Sequence, residues 1–194
     1  MVKRLFDIIA ASMGLIVLSP LMLAVALAVK FEDGGPVFFV HRRIGRGFVP
    51  FGMYKFRTMV VDAASAGPAI TVGGDPRVTG TGRLLRRTKL DELPQLINVL
   101  TGDMSLVGPR PEVAKYVEAF RGEYSRVLSV RPGVTDYASI VYRDEESVLA
   151  ASGDPERLYV EDVLPRKLKL NIEYIGRASF FEDIKIILKT LNAL

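Results

Sequence analysis

Two adjacent carboxylates, Asp91 and Glu92, are the residues of this sequence best suited to chemistry. They stand where a helix is predicted to begin, because Pro94 lacks an N–H and is favoured in a first helical turn. A helix N-terminus stabilises an ionised Asp and binds phosphoryl groups. Cationic side chains lie just upstream, at Arg83, Arg86, Arg87 and Lys89. With a divalent cation, this combination predicts phosphoryl transfer, and an inert, solvated carboxylate pair is the alternative.

Two further segments offer cations for an anionic ligand. Lys55 and Arg57 flank Phe56, and Pro109 and Pro111 flank Arg110. Two prolines fix the backbone around Arg110 and prepare its guanidinium for an anion or a flat base. A stiff loop with a solvated arginine is the alternative.

Composition excludes several other chemistries. The 194 residues contain no Cys and one His, which rules out disulfides, thiolate nucleophiles and Cys-ligated zinc, and argues against a His-based triad. A metal here would be a hard cation held by carboxylates and phosphates. The glycines form neither a P-loop nor a dinucleotide-binding fingerprint.

The N-terminal segment is the apolar part of the chain. Residues 8–29 carry no charge, and about 20 apolar residues suffice to cross a bilayer as a helix. Ser19-Pro20 interrupts this segment and predicts a kink or a break. A kinked single-pass helix and a re-entrant helix–break–helix both fit. Basic residues at both ends favour the re-entrant form, with both ends in the cytosol.

The remainder predicts an α/β, mostly helical body, so that residues 1–31 form a membrane segment and residues 32–194 a cytosolic catalytic domain. Apolar runs at 37–40 and 51–59 predict a β-hairpin, followed by a loop at 63–75. Ser179 and Glu182 match a capping box that opens a last helix. Its apolar stripe predicts either core packing or docking on a membrane surface as an amphipathic helix. The stripe comprises Phe180, Ile184, Ile187, Leu188 and Leu191.

Several long motifs follow one another along the chain: Arg42-Arg43-Ile44-Gly45, Tyr54-Lys55-Phe56-Arg57-Thr58-Met59, Asp75-Pro76-Arg77-Val78-Thr79, Gly82-Arg83-Leu84-Leu85-Arg86-Arg87-Thr88, Leu90-Asp91-Glu92-Leu93-Pro94-Gln95, Met104-Ser105-Leu106-Val107-Gly108-Pro109-Arg110-Pro111-Glu112 and Val130-Arg131-Pro132-Gly133-Val134-Thr135. In order and spacing these motifs resemble the bacterial sugar transferase family, and the resemblance covers most of residues 1–136. The start of the chain is similar to that of the small monotopic phosphoglycosyl transferases.

The resemblance implies a reaction. A UDP-sugar donates its sugar-1-phosphate to undecaprenyl phosphate, in a ping-pong route with Mg²⁺ through a covalent phosphosugar on an Asp. The products are an undecaprenyl-diphospho-sugar and UMP, as in the first membrane step of glycoconjugate assembly. The resemblance places such a protein at the cytoplasmic face of the bacterial inner membrane and leaves a homodimer open.

Roles carry over by motif. Asp91 would be the nucleophile and a Mg²⁺ ligand, and Glu92 its catalytic and metal-binding partner. The phosphate-binding residues would be Arg86, Lys55 and Arg57, and the nucleotide-binding residues Pro109, Arg110 and Pro111. Ser19 and Pro20 would mark the break in the re-entrant helix.

The sequence departs from the family after Thr135. Many relatives read Gly-Ile-Thr-Gly-Trp-Ala-Gln-Val, where this chain has Gly133-Val134-Thr135-Asp136-Tyr137-Ala138-Ser139-Ile140. Sugar contacts are predicted at Arg131, Asp136, Tyr137 and Arg143, with structural roles as the alternative. Two non-catalytic functions also remain open: a membrane-anchored basic binding module and a single-pass scaffold. A net charge of only +4, with acids among the basic residues, argues against a nucleic-acid partner.

Overall fold

The computed structural model describes residues 2–63 and 71–193, so most of the loop predicted at 63–75 lies outside the described residues. The helices are α1 (Val2–Asp33), α2 (Gly80–Thr88), α3 (Gln95–Thr101), α4 (Ala114–Ala119), α5 (Arg121–Val127), α6 (Tyr137–Val141), α7 (Glu145–Ala150), α8 (Pro155–Leu158), α9 (Leu164–Arg177) and α10 (Phe180–Ala193). The strands are β1 (Phe38–Ile44), β2 (Pro50–Phe56), β3 (Ser105–Val107) and β4 (Gly133–Thr135). The predicted mostly helical α/β composition is confirmed.

Helix α1 extends through Pro20, the position at which the sequence predicts a kink or a break. Pro20 has no N–H for the carbonyl of Ile16, four residues earlier. The Ser19 hydroxyl donates to that carbonyl instead, at 2.8 Å. The Ser-Pro pair therefore removes one backbone hydrogen bond and supplies a side-chain replacement.

The N-terminal end of α1 is fastened to the body by polar side chains. Arg4 donates to the carbonyls of Val99 and Leu100 at 2.6 and 3.0 Å, which satisfies groups that the end of α3 leaves free. The buried carboxylate of Asp7 accepts from the Ser105 hydroxyl at 2.8 Å.

The C-terminal end of α1 is fastened to the same body. Asp33 pairs with both terminal nitrogens of Arg57 at 2.5 and 2.6 Å, and Glu32 accepts from the Thr81 N–H at 3.1 Å. A helix of 32 residues is about 48 Å long, so these two attachments lie far apart along one helix.

Between its ends, α1 buries one narrow face and exposes the rest. Ala11, Val25 and Val29 are buried against the body. By length and composition α1 could cross a membrane. Only 11% of its most apolar 18-residue stretch is buried inside the protein. Its exposed apolar side chains include Leu5, Met13, Ile16, Val17, Leu23 and Leu27.

The predicted hairpin is confirmed. Strands β1 and β2 pair antiparallel from Phe38↔Phe56 to Ile44↔Pro50. Phe56 is buried with Val25 and Val29 of α1. The hairpin is thereby fixed along α1. Lys55 is the last residue but one of β2, before the chain continues toward α2.

The helix predicted from Asp91 begins later than expected. Lys89 adopts a left-handed conformation (φ 57°), which ends α2 and starts a 3₁₀ turn over Leu90–Glu92. Helix α3 begins only at Gln95 and ends before Gly102, as predicted. Asp91 and Glu92 therefore lie in a turn between two helices.

Strands β3 and β4 are parallel, so their C-terminal ends meet at one edge. This pairing needs two glycines. A Cβ on Gly108 would lie 2.5 Å from the Arg131 carbonyl oxygen, and one on Gly133 would lie 2.1 Å from the Gly108 nitrogen. The close backbones place the loop after β3 beside the loop after β4.

The C-terminal helices form the largest core, in which Leu164 and Leu168 of α9 pack with Tyr124 and Val127 of α5. The Ser179 half of the predicted capping box is confirmed, since the Glu182 N–H donates to the Ser179 hydroxyl at 3.2 Å. The core contact of α10 is centred on Ile186, which lies off the predicted stripe and is buried with Val107 and Tyr174. Ile187 of the stripe is partly buried against the same cluster. The stripe itself is partly exposed at Phe180, Leu188 and Leu191.

Candidate active site

Four segments bring one carboxylate pair together with three cations. The 3₁₀ turn supplies Asp91 and Glu92, and the end of β2 supplies Lys55. Helix α2 supplies Arg86, and the loop after β3 supplies Arg110. These are five of the residues that the sequence predicted for catalysis and phosphate or nucleotide binding, and residues up to 55 positions apart now share one site.

Glu92 is the anionic centre of an ion-pair network. Arg110 forms a bidentate pair with its carboxylate, one bond being 3.1 Å, and the Lys55 ammonium lies 2.8 Å away. Burial opposes ionisation of Glu92, but Arg110 and Lys55 outweigh it and hold the pKa of Glu92 well below its ordinary value. Glu92 in turn raises the pKa of Arg110. Glu92 therefore stays ionised and holds two cations beside Asp91.

Asp91 has the opposite surroundings. Its side chain is nearly buried, its Oδ2 lies 3.5 Å from the Lys55 ammonium, and its Oδ1 is buried with no hydrogen-bond partner among residues 2–63 and 71–193. Burial raises the pKa of Asp91, against the lowering effect of Lys55. Asp91 does not open a helix as predicted, because α3 begins only at Gln95, and no described N–H donates to the Asp91 Oδ1. The side chains of Lys55, Arg110 and Arg86 supply the positive charge instead.

The Pro-Arg-Pro loop is held at its centre. The Arg110 N–H donates to the carboxylate of Asp136 at 2.8 Å, across the edge where β3 and β4 end. Pro109 and Pro111 are buried, whereas the guanidinium of Arg110 is about one-third exposed. The loop therefore presents one cation to the site from a rigid backbone.

Arg86 acts electrostatically on Asp91 and links the site to the divergent part of the chain. It donates to the Thr58 hydroxyl and to the exposed carboxylate of Glu146 on α7, each at 3.0 Å. An incoming anion can compete with Glu146 for this guanidinium, because that pair is largely open to solvent.

Arg57 is separate from this cluster. Its guanidinium is 7% exposed, pairs with Asp33, and donates to the carbonyls of Pro36 and Met59. Arg57 thus uses its N–H groups to attach α1 to the end of the hairpin. The structure therefore gives Arg57 a structural position rather than the predicted phosphate-binding one.

The four predicted sugar contacts are dispersed. Arg131 donates to the carbonyl of Gly102, and the Tyr137 ring lies under Lys189 of α10, 5.0 Å from its ammonium. Asp136 is 1% exposed and caps α6 through the Ser139 N–H. Arg143 is exposed between α6 and α7. None of the first three faces Asp91 through a described contact.

His41, for which the sequence predicts a structural or interfacial role, lies among the surroundings of the site. It lies on β1 beside Arg43, and its charged neighbours include Lys55, Glu112 and Arg110. Burial and then these cations lower the pKa of His41 to about 4, so the ring is neutral at pH 7. The alternation of side chains along the two strands could have indicated that His41 lies near Lys55. His41 pairs with Met53 in the hairpin and is therefore diagonal to Lys55.

The residues fit a single divalent cation held together with a ligand. Among the described residues there is no group of three or more potential metal ligands. The carboxylate of Asp91 could provide one ligand, whereas both oxygens of Glu92 are paired with cations. Mg²⁺ characteristically binds one or two carboxylates plus substrate phosphates and keeps several waters.

The fold and the site define a class: a helical body fastened along an apolar helix, with cations gathered around a buried carboxylate. Over residues 1–194 the chain matches the family described as Bacterial sugar transferase. The chain belongs to that family. Membership and the apolar α1 together indicate association with a membrane.

Similar proteins carry informative names. The chain is 39% identical to a UDP-N-acetylgalactosamine-undecaprenyl-phosphate N-acetylgalactosaminephosphotransferase of Aeromonas hydrophila, over 100% of this chain and 43% of the relative. It is 39% identical to a UDP-glucose:undecaprenyl-phosphate glucose-1-phosphate transferase of Caulobacter vibrioides, over 99% of this chain and 69% of the relative. A protein of the same name from Escherichia coli is 38% identical over 98% of this chain and 39% of its own length. The chain thus spans less than half of two of these three relatives.

Proposed function

We propose that this protein is a phosphoglycosyl transferase that moves a sugar-1-phosphate from a UDP-sugar to undecaprenyl phosphate, releasing UMP. The observation that carries the proposal is the unpaired, buried oxygen of Asp91 within a cluster of three cations. A nucleophile needs a free oxygen, and a diphosphate needs cations around it. The relatives' names supply the donor and acceptor classes.

The reaction proceeds in two balanced steps. First, an Asp91 oxygen bonds to the sugar-bearing phosphorus, the bond from that phosphorus to the bridging oxygen breaks, and UMP leaves with the electron pair. Second, a phosphate oxygen of undecaprenyl phosphate bonds to the same phosphorus, and the bond to Asp91 breaks. The carboxylate is regenerated, and the product is an undecaprenyl-diphospho-sugar.

The cations divide the charge of the substrate between them. Lys55 lies closest to Asp91 and faces the phosphoryl group in transfer. Arg86 and the rigid Arg110 bind the remaining phosphate oxygens, and the loop of Pro109 and Pro111 borders the nucleotide. Glu92 keeps Lys55 and Arg110 in place.

Asp91 is the residue we assign to Mg²⁺, with the substrate phosphates completing its shell. When bound, Mg²⁺ neutralises phosphate charge that Lys55, Arg86 and Arg110 leave uncompensated. Glu92 acts through its pairs with Arg110 and Lys55.

The protein would lie on one side of the membrane. A helix that crossed a hydrocarbon core of about 30 Å would carry its two ends to opposite faces. Here Arg4 and Asp7 at one end and Asp33 at the other contact the same body. This arrangement supports a monotopic α1 at the cytoplasmic face of the bacterial inner membrane, with its exposed apolar side in the lipid.

Helix α10 extends the same apolar surface. The Phe6 ring of α1 meets the Phe180 ring edge-on, at 5.2 Å between centroids. Phe181, Leu188 and Leu191 are exposed beyond this contact, 79%, 56% and 61% respectively. A helix with an exposed apolar stripe next to an apolar anchor favours the membrane-surface position that the sequence left open.

The test is a UMP-release assay with the purified full chain, Mg²⁺, undecaprenyl phosphate and a panel of UDP-sugars that includes UDP-glucose and UDP-N-acetylgalactosamine. The proposal expects UMP and a lipid-linked diphospho-sugar in equal amounts with at least one donor. Salt-sensitive binding with no turnover for any donor would instead favour a basic binding module.

A further inference from the structure

Gln95 is a buried polar residue that the assignments above leave unused. Its side chain is 1% exposed, and neither its amide nitrogen nor its amide oxygen has a hydrogen-bond partner within residues 2–63 and 71–193. An unpaired buried amide costs free energy, so native proteins seldom keep one without a use.

The position of Gln95 is fixed from both sides. One turn later, Asn98 bonds to strand β2, accepting from the Tyr54 N–H at 2.9 Å and donating to the Gly52 carbonyl at 2.8 Å. One turn earlier, Asp91 faces Lys55 at the end of the same strand. Residues three and four apart share a helix face, and the backbone stays right-handed through Leu93 and Pro94.

Gln95 therefore lies on the face of this segment that also carries Asp91. The Oδ1 of Asp91 and the two polar atoms of the Gln95 amide are all buried without a hydrogen-bond partner among the described residues. The cations around Asp91 favour an anion as the ligand of this face.

We propose that the Gln95 amide nitrogen donates a hydrogen bond to a non-bridging oxygen of the phosphoryl group while it is bonded to, or leaving, Asp91. The proposal rests on the proposed function above. Because the same phosphorus passes through both half-reactions, Gln95 acts on the donor diphosphate and on the attack by the lipid phosphate alike.

The test uses two apolar replacements in the full chain, Gln95→Met and Gln95→Leu, with Asn98→Leu as the matched control. Gln95 has no partner to lose, so both replacements should keep or raise the midpoint of thermal unfolding. Asn98 bonds to β2 at two points, so Asn98→Leu should lower it. If the midpoint of thermal unfolding fell equally in all three variants, Gln95 would support the fold, and the proposal would be overturned.

The activity arm measures the UMP burst without acceptor and turnover with undecaprenyl phosphate. Loss of one hydrogen bond to a charged phosphoryl oxygen should slow both about 10- to 100-fold, mainly in kcat. Wild-type rates in the variants, beside an active wild type, would overturn this proposal alone. Recovery of the rate at raised Mg²⁺ would also overturn it, because the amide would then act on the metal. An inactive wild type would instead contradict the proposed function.

Discussion

Asp91 and Glu92 are neighbours in the chain with opposite electrostatic surroundings. Burial raises the pKa of Asp91, whereas Arg110 and Lys55 overcome burial and hold the pKa of Glu92 low. Pairs of carboxyls whose pKa values are pushed apart usually have different tasks. The paired Glu92 organises the cations, and the more basic Asp91, whose Oδ1 has no partner among the described residues, is the one suited to attack phosphorus.

Replacement of Asp91 by Asn should abolish transfer, because an amide oxygen cannot form the acyl phosphate. The matched control is Asp103→Asn, since Asp103 is an exposed carboxylate that accepts from the Thr101 hydroxyl at 2.7 Å. UMP release measures both variants. Substantial UMP release by Asp91→Asn would reject its assignment as the nucleophile.

His41 predicts a pH dependence of stability. Its pKa is about 4 in the folded protein and 6.5 ordinarily, so between these values the unfolded chain binds more protons. Stability should therefore fall as the pH drops from about 6.5 to about 4, by about 1–3 kcal/mol from this residue. In His41→Gln this contribution should vanish, which unfolding midpoints at pH 7 and pH 5 would reveal. The same pH dependence in both proteins would contradict the burial of a neutral ring.

At the scale of elements, the parallel pair β3–β4 sets the Pro-Arg-Pro loop beside the cap of α6. Asp136 joins them by accepting from the N–H groups of Arg110 and Ser139. In the family pattern described above, many relatives have Gly at the position of Asp136. In this chain the carboxylate of Asp136 joins the loop after β3 to the start of α6.

Asp136→Ala should lower stability by about 1–3 kcal/mol, through the lost cap and the unpaired Arg110 N–H. It should also raise KM for the UDP-sugar, because the loop that carries Arg110 loses its tie. Asp136→Asn, which keeps an acceptor, serves as the control. Denaturant unfolding and steady-state kinetics test both effects. If Asp136→Ala instead changed the preference among UDP-sugars at constant stability, Asp136 would have the predicted role as a sugar contact.

Local signals predicted the elements better than the contacts between them. The hairpin, the Ser179 cap of α10 and the end of α3 at Gly102 follow from alternation, capping and glycine, which act over a few residues. The 3₁₀ turn at Asp91 depends on the left-handed Lys89, for which no local signal exists. Arg57 was misassigned because its partner Asp33 is 24 residues away. Only folding decides which of two neighbouring cations, Lys55 or Arg57, faces the site.

At the scale of the molecule, α1 is both anchor and scaffold. Its N-terminal end binds α3, the helix that follows the turn of Asp91. Its C-terminal end binds Arg57, which lies just beyond Lys55 at the end of the hairpin. A membrane that receives the exposed side of α1 would therefore lie close to the body over the whole length of this helix. A lipid phosphate could then approach the site without leaving the interface.

The absence of cysteine from the sequence makes this arrangement testable by labelling. Val2→Cys and Lys30→Cys introduce one thiol at each end of α1, and Val17→Cys introduces one in its exposed middle. A membrane-impermeant maleimide should modify both ends in inside-out vesicles and neither in intact spheroplasts, with the middle protected by lipid. Modification of the two ends from opposite sides would show that α1 spans the membrane.

The most direct measurement is the mass of the peptide containing Asp91 after incubation of the whole protein with Mg²⁺ and a UDP-sugar that supports turnover, without undecaprenyl phosphate. We predict one phosphosugar on that peptide and one UMP released per chain, with the adduct lost when the lipid phosphate is added. UMP release only in the presence of undecaprenyl phosphate, with an unmodified Asp91 peptide throughout, would contradict the account.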